Sequence, residues 1–384
     1  MDFDWTKEQA TFRSKLSSFA SESLQDDVVA RDHESKFSED LWQQCSSFGI
    51  LKWNVPEQFG GSVPIDVLTA VGGMERLGFE CRDQGLLLAL NTQLWSVQSP
   101  IVELGTDAQK AFFLPKLSSG QWKGAHAMTE PGAGSDAYGI QTTAIKERSG
   151  YRLTGQKIMI TLAPLADVFL VTAVTDPTKG RWGLSTFIVQ KTAPGCHVSA
   201  ADQKMGLRTV PFGRIEFKDC YVEESARLGA EGSDITSIQT LLEVERCCIL
   251  ASQIGAMNRQ LDTCIEFSRK RRQFGKPIAS FQSVSNRVAD MKVRLETARM
   301  LLYRVAWLKS QNKSAVTEAA VLKLYLSEAF VESSMDAMRI HGGRGYMTEP
   351  GIERDLRDAM GGVFYAGTSD IQRNIIAGMM GVTS

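Results

Sequence analysis

Apolar residues recur along the chain in three successive patterns. Through residue 120 the spacing is helical: Thr6 with Gln9 three positions later forms a capping-box start, after which Phe12, Leu16 and Phe19 share one face. Further periodic stretches cover residues 39–48, 64–77 and 84–104, and the turn-rich segment NVPEQFGGSVP parts the first two. Beyond Gly120 the chain turns to short β-type runs at residues 151–153, 157–161, 168–174, 185–189 and 214–217, punctuated by Gly and Pro. Such runs suit an antiparallel barrel or sandwich. After Gly232 helical spacing returns. Val284, Val288, Met291, Leu295, Ala298, Leu302 and Val305 hold a heptad register, which predicts a long bundle helix, and a second long helix is predicted over residues 316–340. The chain reads as α, then β, then α, with parts at 1–120, 121–232 and 233–384.

Composition narrows the chemistry. The 384 residues carry 43 Lys plus Arg against 44 Asp plus Glu, a formal charge of −1, so no global field is available to hold nucleic acid or an anionic membrane. The start, MDFDWTKEQA, lacks a basic and then apolar leader, and the longest clean apolar run, residues 86–90, is far short of the ~18 residues of a membrane span. A soluble, cytoplasmic protein is expected. Seven Cys contain no CxxC and four His form no HExxH, so neither a disulfide framework nor a metal site is indicated. Neither GxSxG nor GxxxxGK[ST] occurs.

Three segments carry candidate chemistry. Gly132-Ala-Gly-Ser-Asp-Ala137 has dinucleotide-fingerprint spacing but lacks the strand before and the helix after that a Rossmann loop needs; it suits a turn whose exposed amides meet a flavin edge or a phosphate. Arg269-Lys-Arg-Arg272, followed by Gln-Phe-Gly275, is either a cationic helix end or a pyrophosphate clamp. In Leu241-Leu-Glu-Val-Glu-Arg246, Glu243 and Glu245 cannot both face solvent on a helix flanked by apolar residues. At least one acid lies near a core, as a structural ion pair or as a base.

Several segments, in order along nearly the whole chain, resemble the acyl-CoA dehydrogenase family: His126-Ala-Met-Thr-Glu-Pro-Gly-Ala-Gly-Ser-Asp136, Lys157-Ile-Met-Ile-Thr161, Lys204-Met-Gly-Leu-Arg208, Arg271-Arg-Gln-Phe-Gly275 with Phe281-Gln282, His341-Gly-Gly-Arg-Gly-Tyr346, Arg357-Asp-Ala359 and Gly367-Thr-Ser369. The resemblance implies an α+β multidomain fold: an N-terminal α-helical domain, a middle antiparallel β-barrel and a C-terminal four-helix bundle, in a homotetramer with FAD held between subunits. It also implies removal of the α-proton of an acyl thioester while the β-hydride passes to flavin N5. An α-hydrogen is a weak acid, so a base and donors to the developing enolate oxygen are both required.

In many members the base directly precedes the Gly-Thr of the last motif, where this chain has Ala366. A minority place a glutamate on the first bundle helix immediately before an Arg, and Glu245-Arg246 resembles that arrangement. Glu245 is therefore the candidate base, and the backbone N–H of Ala366 the candidate oxyanion donor. The resemblance further assigns Met128, Thr129, Gly134, Ser135, Met159 and Thr161 to the flavin, with Met159 where an aromatic is common. Arg271, Phe274, Gln282 and Gly343 fall to the adenosine diphosphate part of a neighbouring subunit's FAD, with Arg339 where Gln is usual, and Thr368 and Asp370 are assigned to close the cofactor site beside Ala366.

Glu245, a small residue at 366, and the segments 163–168 and 281–295 resemble the biosynthetic branch that acts on carrier-protein thioesters such as L-prolyl. Short- or branched-chain acyl-CoA dehydrogenation is the alternative. A flavin monooxygenase on the same fold, or a binding protein without a base, is a further one, and Glu245 argues against both. Electron-transfer flavoprotein and oxygen both suit the fold as acceptors.

Overall fold

The computed structural model describes residues 4–232 and 234–382, and the side chains of 234–242 lie outside that description. Helices come first: α1 (Lys7–Ser23), α2 (Val28–Glu34), α3 (Glu39–Phe48), α4 (Val67–Glu80), α5 (Gln84–Asn91), a π-helical segment (Thr92–Gln98), α6 (Ser99–Leu104) and α7 (Asp107–Ser118). The Thr6–Gln9 capping box is present in both directions at the start of α1. The periodic stretch 84–104 is one continuous helix carrying the π segment in its middle.

Strands follow: β1 (Gly124–Ala127), β2 (Thr143–Lys146), β3 (Gly150–Thr161), β4 (Val168–Val174), β5 (Leu184–Gln190), β6 (Cys196–Val198), β7 (Phe212–Glu223) and β8 (Arg227–Leu228). The runs expected at 151–153 and 157–161 are one strand, β3, with irregular register against β7 at Leu153/Gly155 and at Lys157/Ile160.

The expected closed barrel is not formed. The sheet runs β6-β7-β3-β2-β4-β5-β8, with β1 added beside β4, and among the described residues its two end strands do not pair. Two of its pairings, β1 with β4 and β2 with β4, are parallel, so it is not purely antiparallel either. Both end strands are short, β8 reaching only Thr186 and Phe187 and β6 only residues 215–217 of β7. Alternating patterns are common to barrels and open sheets; closure depends on tilt and stagger, which alternation does not encode.

The last part is helical: α8 (Asp234–Lys270), a small hairpin of β9 (Arg272–Gln273) and β10 (Lys276–Pro277), α9 (Gln282–Ser310), α10 (Val316–His341), α11 (Ile352–Phe364) and α12 (Ser369–Met379). The change of pattern expected at 232/233 falls on residue 233, outside the described residues. In α9 the heptad positions Met291, Leu295, Ala298, Leu302 and Val305 are buried, as their spacing predicts. Among the described residues no helix is long and apolar enough to cross a membrane.

One crossing ties the N-terminal helices to α8. A methyl group on Gly78 would lie 1.9 Å from the Ser252 carbonyl oxygen, and one on Gly255 would lie 2.0 Å from that of Glu75. The two helices therefore touch backbone to backbone, and Arg259 of α8 donates to the Gly78 and Cys81 carbonyls at the end of α4, at 2.5 and 2.9 Å. Gly255→Ala is expected to cost about 1–3 kcal/mol by overpacking this crossing, read as a lowered urea midpoint with an unchanged slope.

Candidate active site

The structure separates the two acids that open α8. Glu243 is buried and paired with Lys309 at 2.8 Å, and it also accepts the Ala315 N–H at 3.0 Å. It is the structural ion pair, tying α8 to the turn between α9 and α10. Glu245, half-buried, has no cation within salt-bridge distance among the described residues, and its Oε1 accepts the Ser96 hydroxyl at 2.9 Å. Ser96 lies in the π segment, where the wider turn changes which side chains a helix directs at its neighbours.

Arg246, next in sequence and buried, reaches the loop between α11 and α12, where its Nε donates to the Ala366 carbonyl at 3.1 Å. Gln372 Nε2 donates to the same carbonyl at 3.3 Å and to that of Gly367 at 3.0 Å. Held by its carbonyl, Ala366 adopts φ 53°, a conformation that disfavours a side chain, and Gly367 follows at φ 88°. Among the described residues the Ala366 N–H donates to no acceptor. Thr368 caps α12 by accepting the Ile371 N–H at 3.3 Å, whereas Asp370 points outward and pairs with Arg373.

On the sheet side a second clamp unites two segments. The Lys157 ammonium, fully buried, donates to Glu130 Oε1 at 2.7 Å and to the Met128 carbonyl at 3.0 Å. Glu130 also accepts the backbone N–H groups of Gln141 and Thr142, and the Ile158 N–H donates to the Thr129 carbonyl at 2.9 Å. Burial pushes the Glu130 carboxyl up, but Lys157 and the donors from Thr142 and Gln141 outweigh it and hold it below the usual range. Met128 and Thr129 are thus brought against 157–161. Met159 stands 57% exposed at φ 55°, Thr161 is half-buried at the strand end, and Gly134 and Ser135 are exposed, with open space over Gly132 and Gly134. Open amides beside an uncovered apolar side chain fit a flat, polar-edged ring such as a flavin.

The remaining candidates form a separate group. Arg271, Phe274 and Gln282 are all exposed around the β9–β10 hairpin, Phe274 by 91% and at φ 49°. Phe267, near the end of α8, stacks on His341 at 4.2 Å, which places the Gly343 turn beside the root of that hairpin. Arg339 is held within its own helix by Asp336 at 3.3 Å. Among the described residues, no hydrogen bond or ion pair of this group reaches 128–135 or Glu245. Ser96, Gln372 and Glu130 were not foreseen. Ser96 and Gln372 carry no motif that marks them, although a lysine at the inward position of β3 was a signal that an acid must meet it.

Helices, a sheet and helices follow one another in that order, and a carboxylate and a bare amide are linked through one helix. The comparisons agree. The acyl-CoA dehydrogenase N-terminal, middle and C-terminal domains match residues 6–121, 125–220 and 234–381. An L-prolyl-[peptidyl-carrier protein] dehydrogenase of Pseudomonas fluorescens is 40% identical over 98% of this chain and 99% of its own. The crystal structure of the prolyl acyl carrier protein oxidase AnaB matches with a TM-score of 0.96 at 42% identity, over 98% of this chain and 100% of that one. PigA with FAD and proline matches with a TM-score of 0.97 at 37% identity, over 100% of both chains. The chain belongs to the acyl-CoA dehydrogenase family.

Lys157→Met would leave Glu130 buried without its cation, an expected loss of about 3–5 kcal/mol by urea unfolding. Because the folded pKa of Glu130 is depressed, the stability it contributes is complete above the ordinary Glu range and is lost as pH falls through the lowered value. A Glu130→Gln, Lys157→Met protein should therefore show a shallower loss of stability on acidification than the parent.

Proposed function

We propose that the protein is an FAD-dependent dehydrogenase of acyl thioesters whose substrate is a carrier-protein-bound aminoacyl group, with L-prolyl as the leading acyl group. The observation that carries this reading is the pair made by Glu245, which among the described residues has no salt bridge, and the Ala366 N–H, which among them has no acceptor, joined through Arg246. A proton acceptor and an oxyanion donor are the two parts that enolisation of a thioester requires. The prolyl-carrier relatives and the PigA complex with FAD and proline support the substrate and the cofactor.

Glu245 takes the α-proton, with the Ser96 hydroxyl fixing Oε1 and so orienting the carboxylate. Ala366 donates its N–H to the thioester oxygen as negative charge gathers there. Arg246 and Gln372 hold that amide in place through the carbonyl on the residue's other side. FAD, when bound, would supply the hydride acceptor; Met128, Thr129, Gly134, Ser135, Met159 and Thr161 would hold it from the sheet side. Arg271, Phe274 and Gln282, exposed around their hairpin, would hold the adenosine diphosphate of a neighbouring subunit's FAD with Gly343 beside them, an arrangement that would require an oligomer.

Anaerobic mixing with thioesters, read by flavin absorbance, tests the reading. Prolyl carrier protein should bleach the flavin while short and branched acyl-CoA thioesters do not, and Glu245→Gln should slow bleaching by about 10²–10⁴-fold, the usual worth of a positioned base. Bleaching unchanged in Glu245→Gln would remove Glu245 from the base role; bleaching by acyl-CoA alone would replace the carrier-protein substrate. Repeating the turnover in air and assaying hydrogen peroxide distinguishes oxygen from electron-transfer flavoprotein as acceptor.

A further inference from the structure

Among the described residues three lysines are buried, and two of them have an acid: Lys123 pairs with Glu39 and Lys157 with Glu130, both at 2.7 Å. The third is Lys323 of α10. It is fully buried, and among the described residues it has no carboxylate within salt-bridge distance; its ammonium donates to the Val363 carbonyl at 3.2 Å. A buried cation without an acid destabilises a fold, so packing alone does not account for a lysine at this position.

Its surroundings tie it to the candidate site. Val363 lies in the last turn of α11, three residues before Ala366. Arg246, also buried, bonds to the Ala366 carbonyl at 3.1 Å, and its Nη2 lies 3.7 Å from where a Cβ on Gly367 would stand. The two cations act on each other: burial first, and then the Arg246 charge, push the Lys323 ammonium down to about 8, with Glu328 opposing. The charged groups that face Lys323 are thus Arg246 from α8 and Glu328 from its own helix, whereas α11 meets it with a carbonyl. Glu328 is itself shared with Arg373 of α12, at 3.9 Å. Glu245 and Glu243 are the acids that act on Arg246, and Glu243 is already paired with Lys309. Two buried cations therefore adjoin the Ala366 loop, with Glu245 the nearby carboxylate that no ion pair among the described residues consumes.

We propose that Lys323 is a buried counter-charge for enolisation: its ammonium, fixed beside the Ala366 loop, supplies positive potential that favours negative charge on the thioester oxygen. The proposal rests on the thioester-dehydrogenase reading given above. Before proton transfer Glu245 carries the negative charge that the two cations face. As the α C–H bond breaks, its proton goes to the Glu245 carboxylate, its electron pair forms the new Cα=C bond, and the π pair of the C=O moves onto the oxygen. Glu245 becomes neutral and one unit of negative charge passes to the substrate. A fixed cation in a water-poor interior acts at longer range than in water and needs no reorganisation as that charge moves. Lys323 acts through the Ala366 loop and its field rather than by contact with the substrate, so it is a positioning residue.

The test compares the parent with Lys323→Met, which is unbranched and uncharged, by anaerobic flavin bleaching and by urea unfolding. The substrate is the thioester that bleaches the parent flavin fastest, prolyl carrier protein on the reading above, varied in concentration and pH. At neutral pH Lys323→Met should lower the limiting bleaching rate by about 10-fold or more, part of what a direct oxyanion donor is worth, and leave the half-saturating substrate concentration unchanged. The parent's limiting rate should fall as pH rises through about 8, where Lys323 loses its proton, and the variant should lack that fall. Because the folded pKa of Lys323 lies below its unfolded value, its charge destabilises the fold fully below about 8 and progressively less toward the ordinary Lys range. The variant's urea midpoint at neutral pH should therefore equal or exceed the parent's. A structural lysine gives the opposite sign: a variant that unfolds at lower urea, or does not fold, assigns Lys323 to packing and overturns the counter-charge. An unchanged limiting rate, or an alkaline fall that persists in the variant, overturns it as well. A parent flavin that no thioester bleaches is a different result: it overturns the dehydrogenase reading, and the counter-charge with it.

Discussion

Helix α8 has nowhere else to go, and the candidate site depends on that. At Gly78 and Gly255 it meets α4 with no side chain between the two backbones, and Arg259 secures the end of α4 through its carbonyls. Helix pairs separated by ordinary side chains can slide by fractions of an ångström; a backbone contact removes that freedom. Everything placed along α8 inherits the position so fixed. Glu243 anchors the α9–α10 turn, Glu245 meets the π segment, Arg246 holds the Ala366 loop, and Gln253 holds Tyr365. The spacing between the proposed base and the proposed oxyanion donor is thus set by one rigid element.

Near-zero net charge does not mean that charge is idle. Some opposite charges form buried or half-buried pairs that join parts of the chain distant in sequence. Lys157 of β3 with Glu130 unites two segments on the sheet side, and Arg357 joins Asp32 of α2 to α11. Apart from these charge pairs, Asp358 accepts the backbone Leu207 N–H from the connection between β6 and β7. Burial pushes the Asp358 carboxyl up to about 7, with the Leu207 N–H opposing the rise. Each such pair has given up water on both sides, so its worth lies less in net stability than in permitting one arrangement of the domains.

Backbone strain falls on some of the same places, although Ser35, Leu162, Leu207, Asp219 and Asn312 hold positive φ as well. Met159, Phe274 and Ala366 all hold positive φ without being Gly or Asn, and each was singled out from its motif. A conformation that costs of order 1–3 kcal/mol persists only where neighbours over-determine it. At Ala366 those neighbours are identifiable, since Arg246 and Gln372 bond to its carbonyl; at Met159 the irregular β3–β7 register supplies the constraint.

The amino-acid sequence determined what depends on nearest neighbours and periodicity. The capping box at Thr6, the heptad face of α9, the continuous helix over 84–104 and the burial of one of the two acids before Arg246 follow from local spacing, because helical neighbours are three or four residues apart. Motif resemblance placed the family's segments in order along the chain, as the three domain matches do. Only the tertiary structure decided that the sheet stays open, that 151–161 is one bulged strand, and that Glu243 rather than Glu245 takes the ion pair. The same holds for the contacts of Ser96 and Gln372. The Ser96–Glu245 bond spans 149 positions and the Arg246–Ala366 bond 120. Nothing in local spacing specifies such contacts, because they exist only once separately formed elements are packed at fixed distances.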